Sequence, residues 1–160
     1  EITTRLVGSE MCIRDRVYMG EFKMSESEIR HGRHCVFQMH VHLVFVTKYR
    51  RKVFTKEILA DLRDTFDSVC QDFESELVEF DGENDHVHLL VRYPPKVLVA
   101  KLVNSLKGVS SRMIRRMGHE SIQKQLWKGA LWSPSYFAAS CGGAPLSIIK
   151  QYIEQQNMPQ

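Results

Sequence analysis

The sequence lacks the features that mark a membrane protein or a disulfide-stapled secreted protein. Its four cysteines, Cys12, Cys35, Cys70 and Cys141, include no CxxC pair, which excludes a zinc ribbon and a thioredoxin-like motif. No apolar run reaches the roughly 18 to 20 residues of a membrane span, and there is no signal-peptide pattern. We therefore expect a soluble, cytoplasmic protein with no membrane partner.

Charge and composition exclude further classes. The net charge is only +3 at pH 7, so a polyanionic partner is permitted but not required. The hydrophobic fraction of 43% and the charged fraction of 26% are ordinary for a globular protein, and no repeat or low-complexity tract is present. A chain of 160 residues has room for one domain with a substantial core.

The first 23 residues carry no fold signal. They show neither helical nor strand periodicity, and Ser9–Arg16 is similar to read-through of a sequencing adaptor. Met24 is a plausible true start. We therefore predict a disordered or non-native leader over residues 1–23 and a single domain over residues 24–160.

Hydrophobic periodicity in the remainder predicts an α+β fold. Strands are expected over residues 38–49, 76–81, 87–92 and 131–139, and helices over residues 55–73 and 98–117. A final helix is expected from Pro145 to about Asn157, after the break at Gly142–Gly143. The order β-α-β-β-α-β is typical of a ferredoxin-like sandwich, in which two helices cover one side of an antiparallel sheet.

The segment Asp85–Val91 contains two histidines, His86 and His88, separated by Val87. Residues two apart on a strand point to the same face, so both imidazoles can converge on one cation. For an isolated HxH pattern, two surface histidines are the commoner outcome. A second pattern, His40–His42, shows how readily the spacing arises, and for His42 we expect a structural or supporting role near the first pair.

The final helix supplies a second candidate group. Tyr152 and Gln156 are four residues apart and therefore share one helix face. The phenol is a candidate nucleophile and the amide a candidate metal ligand. A tyrosine in an amphipathic helix is more often half-buried and packed against the core, so this segment alone does not decide between a catalytic and a packing role.

Together these segments resemble the small insertion-sequence transposases of the HUH single-tyrosine class, relatives of the Rep and relaxase nucleases. The family motif is two histidines around a hydrophobic residue, and Val87 satisfies it. The 23-residue leader lies outside the family pattern. The matching stretches follow the family's order and cover nearly the whole domain: His42–Arg50, Asn84–Val91, Leu131–Phe137 and the helix with Tyr152 and Gln156.

The resemblance implies a DNA transposase that cleaves and rejoins single-stranded DNA at the ends of an insertion sequence. Tyr152 would form a 5′-phosphotyrosine intermediate, so rejoining would need no nucleotide cofactor. His86, His88 and Gln156 would hold one divalent ion, Mg²⁺ or Mn²⁺, against the scissile phosphate. The resemblance also implies hairpin ends on the DNA and a homodimer in which the tyrosine helix is exchanged between subunits.

Basic residues are candidates for contact with the DNA backbone, where counterion release gives sequence-independent affinity. Basic residues lie equally often on a solvated protein surface that binds nothing. Tyr49, Trp132 and Tyr136 could stack on unpaired bases or pack in the core. The candidate DNA-binding residues are Lys48, Arg50, Arg51, Lys52, Lys107, Arg112, Arg115 and Arg116.

Two other functions compete with this prediction. A non-catalytic nucleic-acid-binding module, such as a domesticated relative acting on repeat hairpins, predicts loss of the tyrosine or the histidines, and both survive. A histidine phosphoesterase would need another histidine where Leu90 stands, or repeated HxT or HxS motifs that are absent. We therefore predict the transposase.

Overall fold

The computed structural model describes residues 29–126, 129–141, 148 and 151. From His31 onward, the described elements belong to one compact unit, residues 31–160. The predicted leader lies outside the described residues, as do Tyr152, Gln156 and the Gly142–Gly143 break. Of the predicted final helix, Ile148 and Gln151 are described, and both are helical. None of the helices within the described ranges has the length and apolar character to cross a bilayer.

The described elements follow the predicted order, with several short elements added. Two short strands, β1 (Arg30–His31) and β2 (Val36–Phe37), form a sheet of their own. A short helix after the second long helix was not predicted. In chain order, the remaining elements are β3 (His40–Val46), a 3-10 turn (Lys48–Arg50), α1 (Lys56–Asp72), β4 (Glu76–Gly82), β5 (His86–Arg92), α2 (Val99–Met117), α3 (Glu120–Gln125) and β6 (Phe137–Cys141).

Strands β3 to β6 form one antiparallel sheet with the order β4-β5-β3-β6. The central strands β3 and β5 pair without interruption, with His40 opposite Arg92 at one end and Val46 opposite His86 at the other. Helices α1 and α2 pack against each other, and their buried residues join those of the sheet in one core. The predicted ferredoxin-like α+β sandwich is therefore confirmed.

The core lies on one face of the sheet because side chains alternate along each strand. Leu43 and Phe45 of β3 and Val87 and Leu89 of β5 are fully buried in it. Thr55 caps the start of helix α1, where its side chain accepts a hydrogen bond from the backbone N–H of Ile58. The opposite face of the central strands is left to carry the histidines.

The last strand begins later than predicted. Over residues 131–136 the pairing is limited to a single bridge between Trp132 and Thr47, and the ladder resumes at Phe137. Pro134 has no N–H to donate, which explains the interruption. The indole of Trp132 is buried in the core, and its Nε1–H donates to the Ser110 hydroxyl over 2.9 Å. Trp132 is therefore a core residue.

Candidate active site

Strand β5 presents His86 and His88 on the sheet face opposite the core, because Val87 between them points into the core. The ring centroids are 5.1 Å apart and the ring planes are inclined at 74°. An imidazole nitrogen binds a metal ion at about 2.1 Å, so two rings at this separation can share one ion. His88 is buried and His86 is partly exposed, so the pair is not a bare surface feature.

Each of the two imidazoles is held by a protein partner at Nδ1. His86 Nδ1 lies 2.6 Å from a carboxylate oxygen of Asp85, and His88 Nδ1 lies 3.0 Å from Nε2 of His42. Metal-binding histidines commonly engage their other ring nitrogen in this way, which fixes the tautomer and the ring orientation. With both Nδ1 atoms engaged, Nε2 is the nitrogen through which each ring would coordinate an ion.

Asp85 joins the histidine pair to the turn that follows β3. Burial by itself would raise the pKa of this carboxyl, but its interactions with His86 and Arg50 outweigh burial and hold the pKa below the ordinary value. The group is therefore an anionic acceptor at neutral pH. Arg50 Nη1 lies 3.5 Å from its second oxygen, and the Arg50 side chain is 70% exposed. Sequence reasoning missed Asp85, although it directly precedes His86.

His42 lies on β3, diagonally across from His88 on the same face. Its side chain is fully buried, and its ring stacks on that of His88 with centroids 5.2 Å apart and planes within 5°. The edge of Phe137 from β6 approaches the same ring at 5.9 Å. His42 therefore contacts one candidate ligand directly from the neighbouring strand.

The histidine pair supplies two nitrogen ligands. Within the described part of the chain, no group of three or more His, Cys, Asp or Glu side chains is arranged to hold a metal ion. The predicted third ligand, Gln156, and the predicted nucleophile, Tyr152, lie outside that part. Two imidazoles with few other protein ligands suit a divalent ion whose remaining coordination sites bind water and phosphate oxygens.

The candidate DNA-binding residues fall into two exposed groups and one exception. The first group follows β3, where Lys48 is half-buried and the other three basic side chains are exposed. The second lies on the C-terminal half of α2. The first group comprises Lys48, Arg50, Arg51 and Lys52, and the second Arg112, Arg115 and Arg116.

Lys107 is the exception, because it is half-buried and its ammonium group makes two hydrogen bonds within the protein. It donates to the carbonyl oxygens of Ser133 and Ser135 over 2.7 and 2.8 Å. It also lies 5.5 Å from the ring centres of Phe45 and Tyr136, and burial lowers its pKa. These contacts anchor the segment that leads into β6, a role that sequence reasoning missed.

Comparison with known proteins identifies relatives along most of the chain. The family of IS200-like transposases matches residues 35–156. The ISDra2 transposase TnpA of Deinococcus radiodurans is 32% identical over 130 residues, which cover 81% of this chain and 92% of that protein. The transposase for insertion sequence element IS200 of Salmonella typhimurium is 28% identical over 120 residues, which cover 73% and 78% respectively.

A crystal structure agrees with these matches. The structure of a candidate transposase from Deinococcus radiodurans R1 superposes with a TM-score of 0.66 and 32% identity, covering 81% of this chain and 99% of that one. The fold and the relatives together define the class as a DNA transposase, an enzyme of DNA strand cleavage and transfer. Within that class, the chain belongs to the IS200-like transposase family.

Proposed function

We propose that this transposase cleaves and rejoins single-stranded DNA at the ends of an insertion sequence through a covalent phosphotyrosine, assisted by a divalent ion. The observation that supports this proposal is the pair of imidazoles, His86 and His88, on one face of β5 with Nδ1 of each held by a protein partner. Such an arrangement is typical of metal ligands whose orientation is fixed in advance.

Tyr152 is the proposed nucleophile. Its phenol oxygen attacks the scissile phosphorus, a Tyr–O–P bond forms, and the bond from phosphorus to the 3′-oxygen breaks. The phenol gives up its proton to solvent during the attack, and the leaving 3′-oxygen takes one up. The 5′-phosphotyrosine keeps an activated phosphoryl bond, and a 3′-hydroxyl can rejoin to it without a nucleotide cofactor.

His86, His88 and Gln156 are the proposed ligands of Mg²⁺ or Mn²⁺. When bound, the ion would stabilise the charge that develops on the scissile phosphate. Asp85 and His42 contribute by holding the two imidazoles in one orientation, so that little rotamer freedom is lost when the ion binds.

The proposed partners are hairpin-ended single-stranded DNA and a second copy of the chain. The exposed basic residues after β3 and on α2 suit contact with the phosphate backbone. In the proposed homodimer, the helix with Tyr152 completes the metal site of the other subunit, which would make cleavage dependent on dimer formation.

A covalent-adduct assay tests the proposal. The protein is incubated with Mn²⁺ and labelled single strands that tile the DNA flanking its coding sequence, and the products are run on a denaturing gel. We expect a denaturation-resistant adduct that disappears in Tyr152→Phe and with EDTA, and that persists in the control Tyr136→Phe. Hairpin binding without an adduct under any condition would favour the non-catalytic binding module instead.

A further inference from the structure

The structure distinguishes between the three aromatic residues that were candidates for base stacking. Trp132 is buried in the core, and Tyr136 is 41% exposed, with its ring beside the engaged ammonium group of Lys107. Tyr49, in contrast, is 76% exposed. An aromatic ring this exposed in a turn contributes little to the core, so its position needs another explanation.

The backbone at Tyr49 is strained in a way that projects the ring outward. Tyr49 and Arg50 both adopt left-handed conformations, with φ of 61° and 53°, which residues with a Cβ atom seldom adopt. Consecutive strained residues persist only where their surroundings hold them, and they are enriched at functional sites. The left-handed pair therefore points to a selected orientation of the Tyr49 side chain.

Hydrogen bonds on both sides hold this turn in place. The Thr47 hydroxyl donates to the Arg51 carbonyl over 2.9 Å, and the Arg50 N–H donates to the Thr47 carbonyl over 3.0 Å. The Thr47 N–H donates to the Asp85 carbonyl and the Lys48 N–H to the Leu131 carbonyl, each over 2.9 Å. The turn is thus fixed to the residue that precedes β5 and to the segment before β6.

Two cations flank the exposed ring. Lys48 Nζ lies 5.4 Å and Arg51 Cζ 5.5 Å from the ring centre of Tyr49. Cation–π contacts at exposed positions are weak, so a nucleobase can displace either cation from the ring. A displaced cation would then lie next to the phosphates that flank that base. An aromatic ring with adjacent cations is the combination that binds single-stranded nucleic acid.

The turn also lies close to the histidine pair. Val46, the last residue of β3, pairs with His86, and Tyr49 is three residues further along the chain. With about 3.8 Å between consecutive Cα atoms, that step is at most about 11 Å. Arg50 connects the turn to the same place through Asp85, which hydrogen-bonds His86. A strand cleaved at the histidine pair would reach Tyr49 within a few nucleotides.

We propose that Tyr49, with Lys48 and Arg51, forms a stacking site for an unpaired nucleobase of the DNA strand, a few nucleotides from the scissile phosphate. The inference rests on the proposed function, since the strand bound here is the one to be cleaved. Every base has a π-face, so the site accepts any base. A paired base inside a duplex has both faces covered by its neighbours and does not enter.

Binding of model strands tests the stacking site. Fluorescence anisotropy compares an oligo-dT strand of about 20 nucleotides with an equally long strand of abasic sugar-phosphate units. Tyr49→Phe keeps the ring, while Tyr49→Asn removes it and tolerates the left-handed backbone. We expect Tyr49→Asn to weaken oligo-dT binding about tenfold and binding of the abasic strand less than about twofold, with Tyr49→Phe close to the original protein.

The outcomes separate this inference from the proposed function. Equal losses on both strands, an unchanged oligo-dT affinity, or no oligo-dT binding by the unmodified protein would each overturn the stacking site. If covalent adducts still form in those cases, the proposed cleavage stands. If Tyr49-dependent binding is seen but no adduct ever forms, cleavage fails and the stacking site stands. Thermal unfolding checks the variants, and Tyr49→Gly repeats the test should Tyr49→Asn be destabilised.

Discussion

Nε2 of His42 lies 3.0 Å from Nδ1 of His88, and the two rings are parallel within 5°, although the residues are 46 positions apart. The contact crosses the two central strands on the face opposite the core. If His88 coordinates an ion through Nε2, its Nδ1 carries the proton and donates a hydrogen bond to Nε2 of His42. The orientation of one proposed ligand is therefore set by a neighbouring strand.

Replacing His42 should weaken metal binding without removing a ligand. His42→Phe keeps a ring of similar shape but cannot accept the hydrogen bond, so His88 loses its fixed orientation. Loss of such a partner typically lowers metal affinity about 10- to 100-fold. His42→Gln places an amide oxygen near the former Nε2 and should recover most of the affinity, as measured by Mn²⁺ titration calorimetry.

His40→Phe is the matched control for this pair of variants. His40 is buried on the same strand, but it pairs with Arg92, whereas His88 pairs with Val44 four residues further along. We expect this variant to keep the Mn²⁺ affinity of the unmodified protein. Equal losses in His40→Phe and His42→Phe would mean that disturbance of β3, and not the contact with His88, is responsible.

Asp85 should act on His86 as His42 acts on His88. Asp85→Asn preserves the size of the side chain but removes the charge that the 2.6 Å contact depends on. Charge-assisted hydrogen bonds are about twice as strong as neutral ones, so we expect about a tenfold loss of Mn²⁺ affinity. Arg50 contacts Asp85 from a side chain that is 70% exposed, so Arg50→Gln should change the Mn²⁺ affinity measured by titration very little.

Lys107 should contribute to stability through the segment it anchors. Lys107→Met keeps most of the side-chain volume but removes both hydrogen bonds to the carbonyl oxygens of Ser133 and Ser135. We expect the free energy of unfolding, measured in urea, to fall by about 1–2 kcal/mol. Lys101→Met, an exposed change on the same helix, should alter it by less than about 0.5 kcal/mol. Equal effects would contradict the anchoring role.

The cysteines should differ sharply in reactivity. Burial, with a smaller effect of Asp67, raises the pKa of Cys70 from 9.0 to about 12, whereas Cys35 is exposed. Because the thiolate is the reactive form, iodoacetamide at pH 8 should label Cys35 quickly and Cys70 only after unfolding. Mass spectrometry of the peptides reads this out, and equal labelling rates would show that α1 does not bury Cys70.

The raised pKa of Cys70 makes the free energy of unfolding depend on pH. The unfolded chain releases the Cys70 proton near pH 9.0, while the folded protein keeps it to about 12. The stabilising effect is therefore fully present below pH 9.0 and is lost as the pH rises towards 12. In Cys70→Ala, the free energy of unfolding measured in urea should fall less between pH 9.0 and pH 12 than it does in the unmodified protein.

The element order and the sheet face of the histidines could be predicted because both follow from local periodicity. Alternation along β5 puts Val87 in the core and its two neighbours on the other face. Along α2, the helical spacing of Leu102, Leu106, Met113 and Met117 predicts one apolar stripe, but it does not predict how far along the helix that stripe is buried. Leu102 and Leu106 are buried as that stripe requires, whereas Met113 and Met117 on the same stripe are exposed.

Contacts that depend on strand register could not be read from the chain. The pattern at His40–His42 favoured a supporting role for His42, but the contact with His88 follows only from the pairing of β3 with β5. Lys107 looked like one more cation on a basic helix face. Its engagement depends on where the Ser133–Ser135 segment lies, and Pro134 takes that segment out of the predicted strand.

The most direct test of the proposed cleavage by Tyr152 is to find where DNA becomes attached to the protein. The covalent adduct is digested with nuclease and trypsin, and the nucleotide remnant is located by mass spectrometry. Trypsin cleaves after Lys150, so Tyr152 is the second residue of its peptide, and residues 151–160 contain no other tyrosine. A phosphonucleotide on Tyr152 in this peptide is the expected result. A remnant on any other residue, or a Tyr152→Phe variant that still carries one, would contradict it.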